Sequence, residues 1–532
     1  MPARVYLAVL CLLATSRAWP TETDRTAFPD GSEAGEAESK LADASDGASA
    51  AVRWRLRGPA GEMKEIRLYE RAEWSPSPHL TGFLLAERDP GERRWSDFVS
   101  AYSDWRGTRG RLTVGNLRPG LGQGVVYSRT GARGGIPSAS ARRDQDRVGF
   151  RSATENAAVQ GLWGSVRRRG FTAAGLAGRL EWDGRVADSG AITSLPESGL
   201  HTSLSELAAR DQLRGRVMGG RLSWSTDTRG GGLHWLHLRL LRTLDLRRPD
   251  RVAHAFHGSR LSLLGGDVHC LGRGWRLYGE AAVDGEGKCA AVAGARMSGG
   301  LRIAVQGRRY PPGWWSPLGG SATASGMDNE TGVQLEAKGS RWRAYIDQVR
   351  RPQPTYHQPL SRPSCAWGLE LERSLTSTWT TRAAFQVKRD SDWSQGVLGR
   401  ERSTRVRLEA DRGRRQGVRL RAEARRVSSG SDGQIGLLLS SRWRGQAGIL
   451  RWGLHGTRFS IPSYASRIYE YEQEVPGAVS IRALYGDGWR VYGMVSVCTG
   501  AAELHLRYRY EDVTGRAAKA ELALQLDLMM GP

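Results

Sequence analysis

Gly417-Val-Arg-Leu-Arg-Ala-Glu-Ala-Arg-Arg-Val427 decides how the rest of the chain is read. Val418, Leu420, Ala422 and Ala424 share one parity, and Arg419, Arg421, Glu423 and Arg425 share the other. A β-strand sends successive side chains to opposite faces, so this stretch is a ribbon with one apolar and one charged face. A helix would spread the arginines around its cylinder instead.

The same alternation recurs along the chain. Trp54 and Leu56 alternate with Arg53, Arg55 and Arg57, and Leu68, Ala72 and Trp74 with Arg67, Tyr69 and Arg71. In Lys519–Leu528 every second residue from Leu522 is leucine. Turn chemistry separates the segments, as in Gly58-Pro-Ala-Gly61, Ser75-Pro-Ser-Pro78, Asp284-Gly285 and Asp487-Gly488. Segment lengths of about 9–11 residues suit strands crossing a bilayer at a tilt. The expected fold is all-β, a large closed antiparallel transmembrane β-barrel of roughly 24–28 strands, the last pairing with the first. No apolar run beyond the N-terminus reaches the roughly 18–20 residues of a spanning helix. A soluble all-β protein is the competing reading, because alternation alone does not say which face is wet.

Residues 1–18 read as a secretory signal: Arg4, an apolar Val5–Ala14, and small residues at Ser16-Arg17-Ala18. Residues 19–50 read as an acidic disordered linker, with eight acids against two bases. Residues 51–532 are assigned to the barrel. The expected location is the bacterial outer membrane, reached through the periplasm. The expected partners are outer-membrane lipid and the barrel-insertion machinery, and the barrel is expected to be a monomer.

Within the barrel, Leu121–Ser128, Ser466–Glu472 and Gly477–Tyr485 are read as wall strands. Two interruptions follow: Arg129–Arg147 is read as a long loop or an inward fold, and Asp183–Leu213 either as a loop that covers the mouth or enters the pore or, equally, as a simple external loop. The second carries a short helix over Thr202–Asp211, with Thr202 as cap and Glu206 in the first turn.

Catalytic and metal chemistry leaves little trace. Gly120-Leu-Gly-Gln-Gly124 lacks the following helix of a dinucleotide loop and is read as relief of crowding in the sheet. His234 and His237 would face opposite sides of a strand, whereas His254 and His257 lie in or beside a loop where they could converge. Cys270 and Cys289 lie in nearby strands, where a disulfide is possible in an oxidising compartment, but the favoured reading is isolated buried or lipid-facing thiols. No cofactor, metal ligand set or nucleophile motif is assigned.

Four segments together resemble a family of large outer-membrane β-barrels of Bacteroidota and related bacteria. They are Gly82–Glu92 with Trp95, Asp97, Phe98 and Ser100; Val114–Val125; Thr193–Thr202 with Glu206-Leu207-Ala208; and Ile468–Glu472 running on to Tyr485–Gly488. The resemblance implies a barrel over most of residues 51–528. Members often carry a helix-hairpin-helix domain similar to one used in DNA uptake. Residues 19–50 are too short and too acidic for that module, which weakens the expectation of a DNA role.

The formal net charge is +23, and only six of the 78 basic residues are lysine. The arginines are spread along strands rather than clustered, which points to a charged lumen more than to a nucleic-acid surface. Arg341, Arg343, Arg405, Arg407, Arg419, Arg421 and Arg425 are the candidate lumen-facing residues that would interact with anionic solutes. The opposing reading is that they pair with acids and fill the pore. The first functional expectation is therefore a pore or transport-related channel with a basic lumen, not an enzyme. A scaffold or conduit for an envelope machine such as DNA uptake, and a barrel-mouth enzyme, are the alternatives.

Overall fold

The computed structural model describes residues 49–531 except 61–64, 93, 95, 130–138, 140, 143, 197–198, 248–251, 321–326, 356–359, 395–396, 414–415 and 430–431. The signal segment and nearly all of the acidic linker lie outside the described residues, as does most of the Arg129–Arg147 loop.

The chain opens with β1 (Ser49–Pro59), β2 (Arg67–Ser77), β3 (Leu80–Arg88), β4 (Phe98–Arg106), β5 (Gly110–Leu117), β6 (Val159–Arg168) and β7 (Phe171–Trp182). Two short pieces, β8 (Arg185–Val186) and β9 (Ile192–Ser194), and the helix α1 (Leu204–Ala209) follow. Next are β10 (Leu213–Ser225), β11 (Arg229–Asp245), β12 (His257–Gly272), β13 (Trp275–Asp284), β14 (Cys289–Met297), β15 (Arg302–Tyr310), β16 (Glu330–Lys338) and β17 (Trp342–Arg351). They continue as β18 (Arg362–Ser374), β19 (Trp379–Ser394), β20 (Val397–Arg412), β21 (Gly417–Ser429), β22 (Asp432–Ala447) and β23 (Leu450–Ile461). The series closes with β24 (Ile468–Glu472), β25 (Ser480–Leu484), β26 (Gly486–Cys498), β27 (Ala502–Val513) and β28 (Lys519–Met530).

Without the short β8 and β9, the 26-stranded main sheet of the described residues is a closed antiparallel barrel of 24 strands. β1 pairs with β28 from Ala50↔Met530 to Pro59↔Glu521, so the sheet has no free long edge. Both ends of the barrel chain and all the turns of two to four residues after the even-numbered wall positions lie at one rim. The long connections, of which 118–158, 183–212 and 462–485 are the largest, lie at the other.

The two faces separate as the alternation requires. In β21, Leu420 is 44% exposed while Glu423 is 4% exposed. Leu408, Leu437, Leu439, Leu454 and Leu506 are exposed on the same outward side. An apolar surface this extensive is far beyond what a water-soluble barrel would show, and it fits a lipid solvent. Trp74, Trp105, Trp224, Trp275, Trp443 and Trp452 are exposed toward the turn rim. An indole suits the membrane interface because it joins an apolar body to an N–H donor. A concavity of about 920 Å³ lies against Leu371, Leu408, Leu420 and Leu439. Those residues have outward parity, so it indents the outer wall and is not the pore.

Three segments read as wall strands differ in the structure. Residues 121–128 form no strand; they run inside the barrel as irregular chain. Ser466–Glu472 and Gly477–Tyr485 do not join the wall either. Their cores, β24 and β25, pair only with each other, from Ile468↔Leu484 to Glu472↔Ser480. The physical reason is length: five residues reach about 17 Å, too little for a tilted strand to cross the apolar band. The helix also shifts by one residue. Ser203, not Thr202, is the N-cap, and Glu206 completes a capping box with it.

The Cys270–Cys289 disulfide does not form. Both are free thiols, and β13 runs between them, with Cys270 opposite Leu277 and Cys289 opposite Val283.

Candidate functional site

Among the described residues, two inward-folded segments carry most of the lumen's contacts with the wall. The first is the run after β5. Leu121, Val125, Val126 and Tyr127 pack against Leu236, Leu238 and Leu263 of the wall and against Trp314 and Leu318 from the 311–329 loop. The Tyr127 hydroxyl donates to the Trp235 carbonyl at 2.6 Å. Gly219 makes that approach possible, because a Cβ there would stand 2.0 Å from the Tyr127 hydroxyl. Gly122 and Gly124 have φ of +58° and +90°, so these glycines serve a tight inward turn rather than a crowded sheet. The turn presents the Gln123 and Val126 N–H groups to the Glu280 carboxylate, at 2.5 and 3.1 Å.

The second segment is the β24–β25 hairpin. Glu470 and Glu472 are fully buried, and Glu474 follows in the turn. Glu470 accepts from Thr457 at 2.7 Å and lies 3.0 Å from the His455 ring. Glu472 faces Arg490, Arg507 at 3.1 Å and Arg509 at 3.2 Å. Glu474 lies 3.1 Å from Arg507 and 3.6 Å from Arg57. The hairpin backbone is held as well. Arg55 donates to the Pro476 carbonyl at 2.8 Å, Arg421 to Tyr469 at 3.0 Å, and Arg425 to Arg467 at 2.6 Å. The opposite side of the hairpin leaves Tyr469, Val479 and Ile481 exposed. Glu472 and Glu474 are thus matched by arginines, which is the condition for keeping ions out of bulk water, while Glu470 is held by Thr457 and His455.

The seven arginines singled out from the sequence fall into three groups. Arg405, Arg407 and Arg421 converge on Glu423 at 2.6, 2.7 and 2.6 Å. Arg419 pairs with Asp411 at 2.6 Å and Arg343 with Glu336 at 3.1 Å. Arg425 binds the Ser403 hydroxyl at 3.1 Å as well as the hairpin, while Arg341 is exposed in the turn before β17. The arginines therefore pair mostly along the wall, with acids on the same or adjacent strands. Arg57, Arg490, Arg507 and Arg509, which grip the hairpin acids, were not singled out. The available signal was Ile468-Tyr-Glu-Tyr-Glu472 itself, an alternating stretch too short for the wall and with acids on one parity.

A third cluster ties the long loops together at the mouth. His201 is hydrogen-bonded to Asp97 and, at 2.8 Å, to Asp183. Its backbone N–H donates to Glu92 at 3.2 Å, and Arg210 pairs with Asp97. The bond to Asp183, against the effect of burial and with help from Asp97, pushes the His201 ring up to about 9. Burial, and then the neighbouring Asp183 charge, push Glu155 up to about 8. Glu92, Asp97 and His201 bring their donor atoms within 4.8 Å of one another, as do Glu155, Asp183 and His201. Arg210 on Asp97 and the Asp211 N–H on Asp183 occupy these carboxylates, which makes the cluster an ionic clip between loops. His234 and His237 do face opposite sides: His234 lies buried 3.0 Å from Glu280, and His237 bonds Ser262. His254 and His257 go to separate carboxylates, Asp328 and Asp245.

No family model matches the chain, and no curated protein matches it. Solved structures do. Pseudomonas aeruginosa OccK11 (OpdR) aligns over 92% of this chain and 96% of its own, at 10% identity and a TM-score of 0.30. The P pilus usher PapC translocation pore aligns over 91% and 99%, at 10% identity and 0.32. The FrpB iron transporter from Neisseria meningitidis aligns over 93% and 82%, at 8% identity and 0.39. At these values the alignments carry no argument about this chain. The closed sheet and its apolar outer surface make this chain a membrane-spanning barrel of the outer-membrane type.

Proposed function

We propose that this chain is a bacterial outer-membrane channel with a basic lumen, held closed in this conformation by its own β24–β25 hairpin. The observation that carries the reading is the buried Glu470–Glu472–Glu474 set on an arginine-lined wall. While the hairpin is docked, its acids cancel the wall charge. Once it swings away, Arg57, Arg490, Arg507 and Arg509 face the lumen with fewer acids, and a ring of like charge favours ions of opposite sign. Gating and anion preference then share one cause. Arg405, Arg407, Arg419 and Arg421 extend the same basic strip, with Glu423 and Asp411 already moderating it. The resemblance to the Bacteroidota barrel family belongs to this proposal: its first and third segments meet at the His201 clip, and its fourth is the hairpin.

Planar-bilayer recording tests the reading. The wild type should conduct in brief openings, Glu472→Gln with Glu474→Gln should raise the open fraction, and Arg507→Glu should reduce anion preference. A double variant that folds, inserts and stays silent would overturn it.

A further inference from the structure

The outward face is not uniformly apolar. Near the long-loop rim, β7, β10, β11 and β12 carry Arg179, Arg216, Arg239 and Arg260 in one register row, through the pairs Arg216↔Arg179, Arg216↔Arg239 and Arg239↔Arg260. All four are exposed. Neighbouring strands lie about 4.8 Å apart, so four guanidinium groups occupy a front of about 14 Å. Like charges directly opposite on paired strands repel, and such a row calls for a counter-charge. Arg179 has Gln160 at 2.9 Å and Glu181 at 3.9 Å. Among the described residues, no carboxylate forms an ion pair with Arg216, Arg239 or Arg260.

The position of the row identifies what supplies that charge. On β10 the outward residues after Arg216 are Met218, Gly220, Leu222 and Trp224. Trp224 lies eight positions beyond Arg216. That is about 27 Å of strand, or about 20 Å along the membrane normal at a tilt of about 40°, close to the height of an outer-membrane apolar band. Trp224 marks the boundary at the turn rim, and Arg216 marks the other. Short turns face the periplasm and long loops the exterior in such barrels, which places the row at the outer leaflet.

We infer that Arg179, Arg216, Arg239 and Arg260 form a binding site for the phosphate groups of an outer-leaflet glycolipid. Guanidinium groups suit phosphate because they donate two parallel hydrogen bonds, and the spread of the row suits a headgroup bearing two phosphates. The acyl chains of that lipid would lie over Met218, Leu222, Leu264 and Val268, all of which are exposed. The inference rests on the outer-membrane reading and adds a lipid class to it.

The test uses the full barrel folded in detergent micelles and titrated with bisphosphorylated lipid A, a zwitterionic phospholipid and inorganic phosphate, with bound lipid read by native mass spectrometry. Lipid A should be retained in preference to the zwitterionic lipid. Arg216→Gln with Arg239→Gln should weaken retention about tenfold, whereas Arg458→Gln, an outward arginine elsewhere on the rim, should not. Equal retention by wild type and the double variant, or equal retention of the two lipids, overturns the inference and leaves the barrel standing. Inorganic phosphate competing as well as lipid A also overturns it, since the site would then take a free anion. Failure of the wild type to insert into vesicles, read by protease protection, removes the outer-membrane reading and the lipid site with it.

Discussion

Single side chains decide whether the lumen elements stay docked. Glu472 is shared by Arg490, Arg507 and Arg509, and removing it takes one carboxylate from three buried cations, which then keep only Glu511, Glu474 and Glu521. Breaking a buried charge network by deleting one partner costs about 3–5 kcal/mol, so Glu472→Ala should lower the denaturation midpoint clearly, while exposed Arg458→Ala should change it little. Tyr127→Phe removes one hydrogen bond and should cost about 1 kcal/mol; Gly219→Val would force Tyr127 out and cost more. The His201 clip sets a pH dependence. Both His201, up to about 9, and Glu155, up to about 8, hold their protons more tightly in the folded loops than in free chain. Their stabilisation is complete below their ordinary values and disappears as the pH rises through about 8 to about 9. Protease cleavage in the 183–212 loop should therefore increase between pH 7 and 9.5, and His201→Gln should flatten that rise.

At the scale of the element, period-two patterning was legible wherever a strand had a lipid face. Gly417–Val427 reads correctly because its apolar parity meets the membrane and its charged parity meets Asp411, Glu423 and the hairpin. The same rule misplaced β24 and β25, since a hairpin buried in a charged lumen alternates as well. Their length was the discriminating feature, and parity could not replace it. Residues 121–128 failed for another reason: Leu121, Val125 and Val126 are apolar because they meet a dry interior core, which from sequence looks like a lipid face. The arginine partners of the hairpin were hidden because ion pairs between β24 and β27 depend on tertiary placement. If β24 and β25 form a movable element, their backbone amides should exchange with deuterium faster than those of β21–β23, though both sets are hydrogen-bonded. Equal protection would argue that the hairpin never leaves the wall.

For the whole molecule, the solvent on the two sides is the organising variable. Leu420→Arg, near the middle of the outer face, should cost about 2–4 kcal/mol in lipid vesicles and much less in the lumen-facing register. Urea unfolding from vesicles of Leu420→Arg and Arg419→Leu would separate the two faces. The closure between β1 and β28 has a consequence in time. Arg53 meets Asp527 at 2.6 Å across 474 positions of chain, and Arg57 meets Glu521 at 2.9 Å across 464. During synthesis, the edge of β1 waits for its partner until almost every other strand has been made. Contacts this distant in sequence form slowly, and an open strand edge recruits any other edge it meets. Something must shelter β1 throughout that interval, so a strain short of such shelter should accumulate chains joined to one another through their first strands.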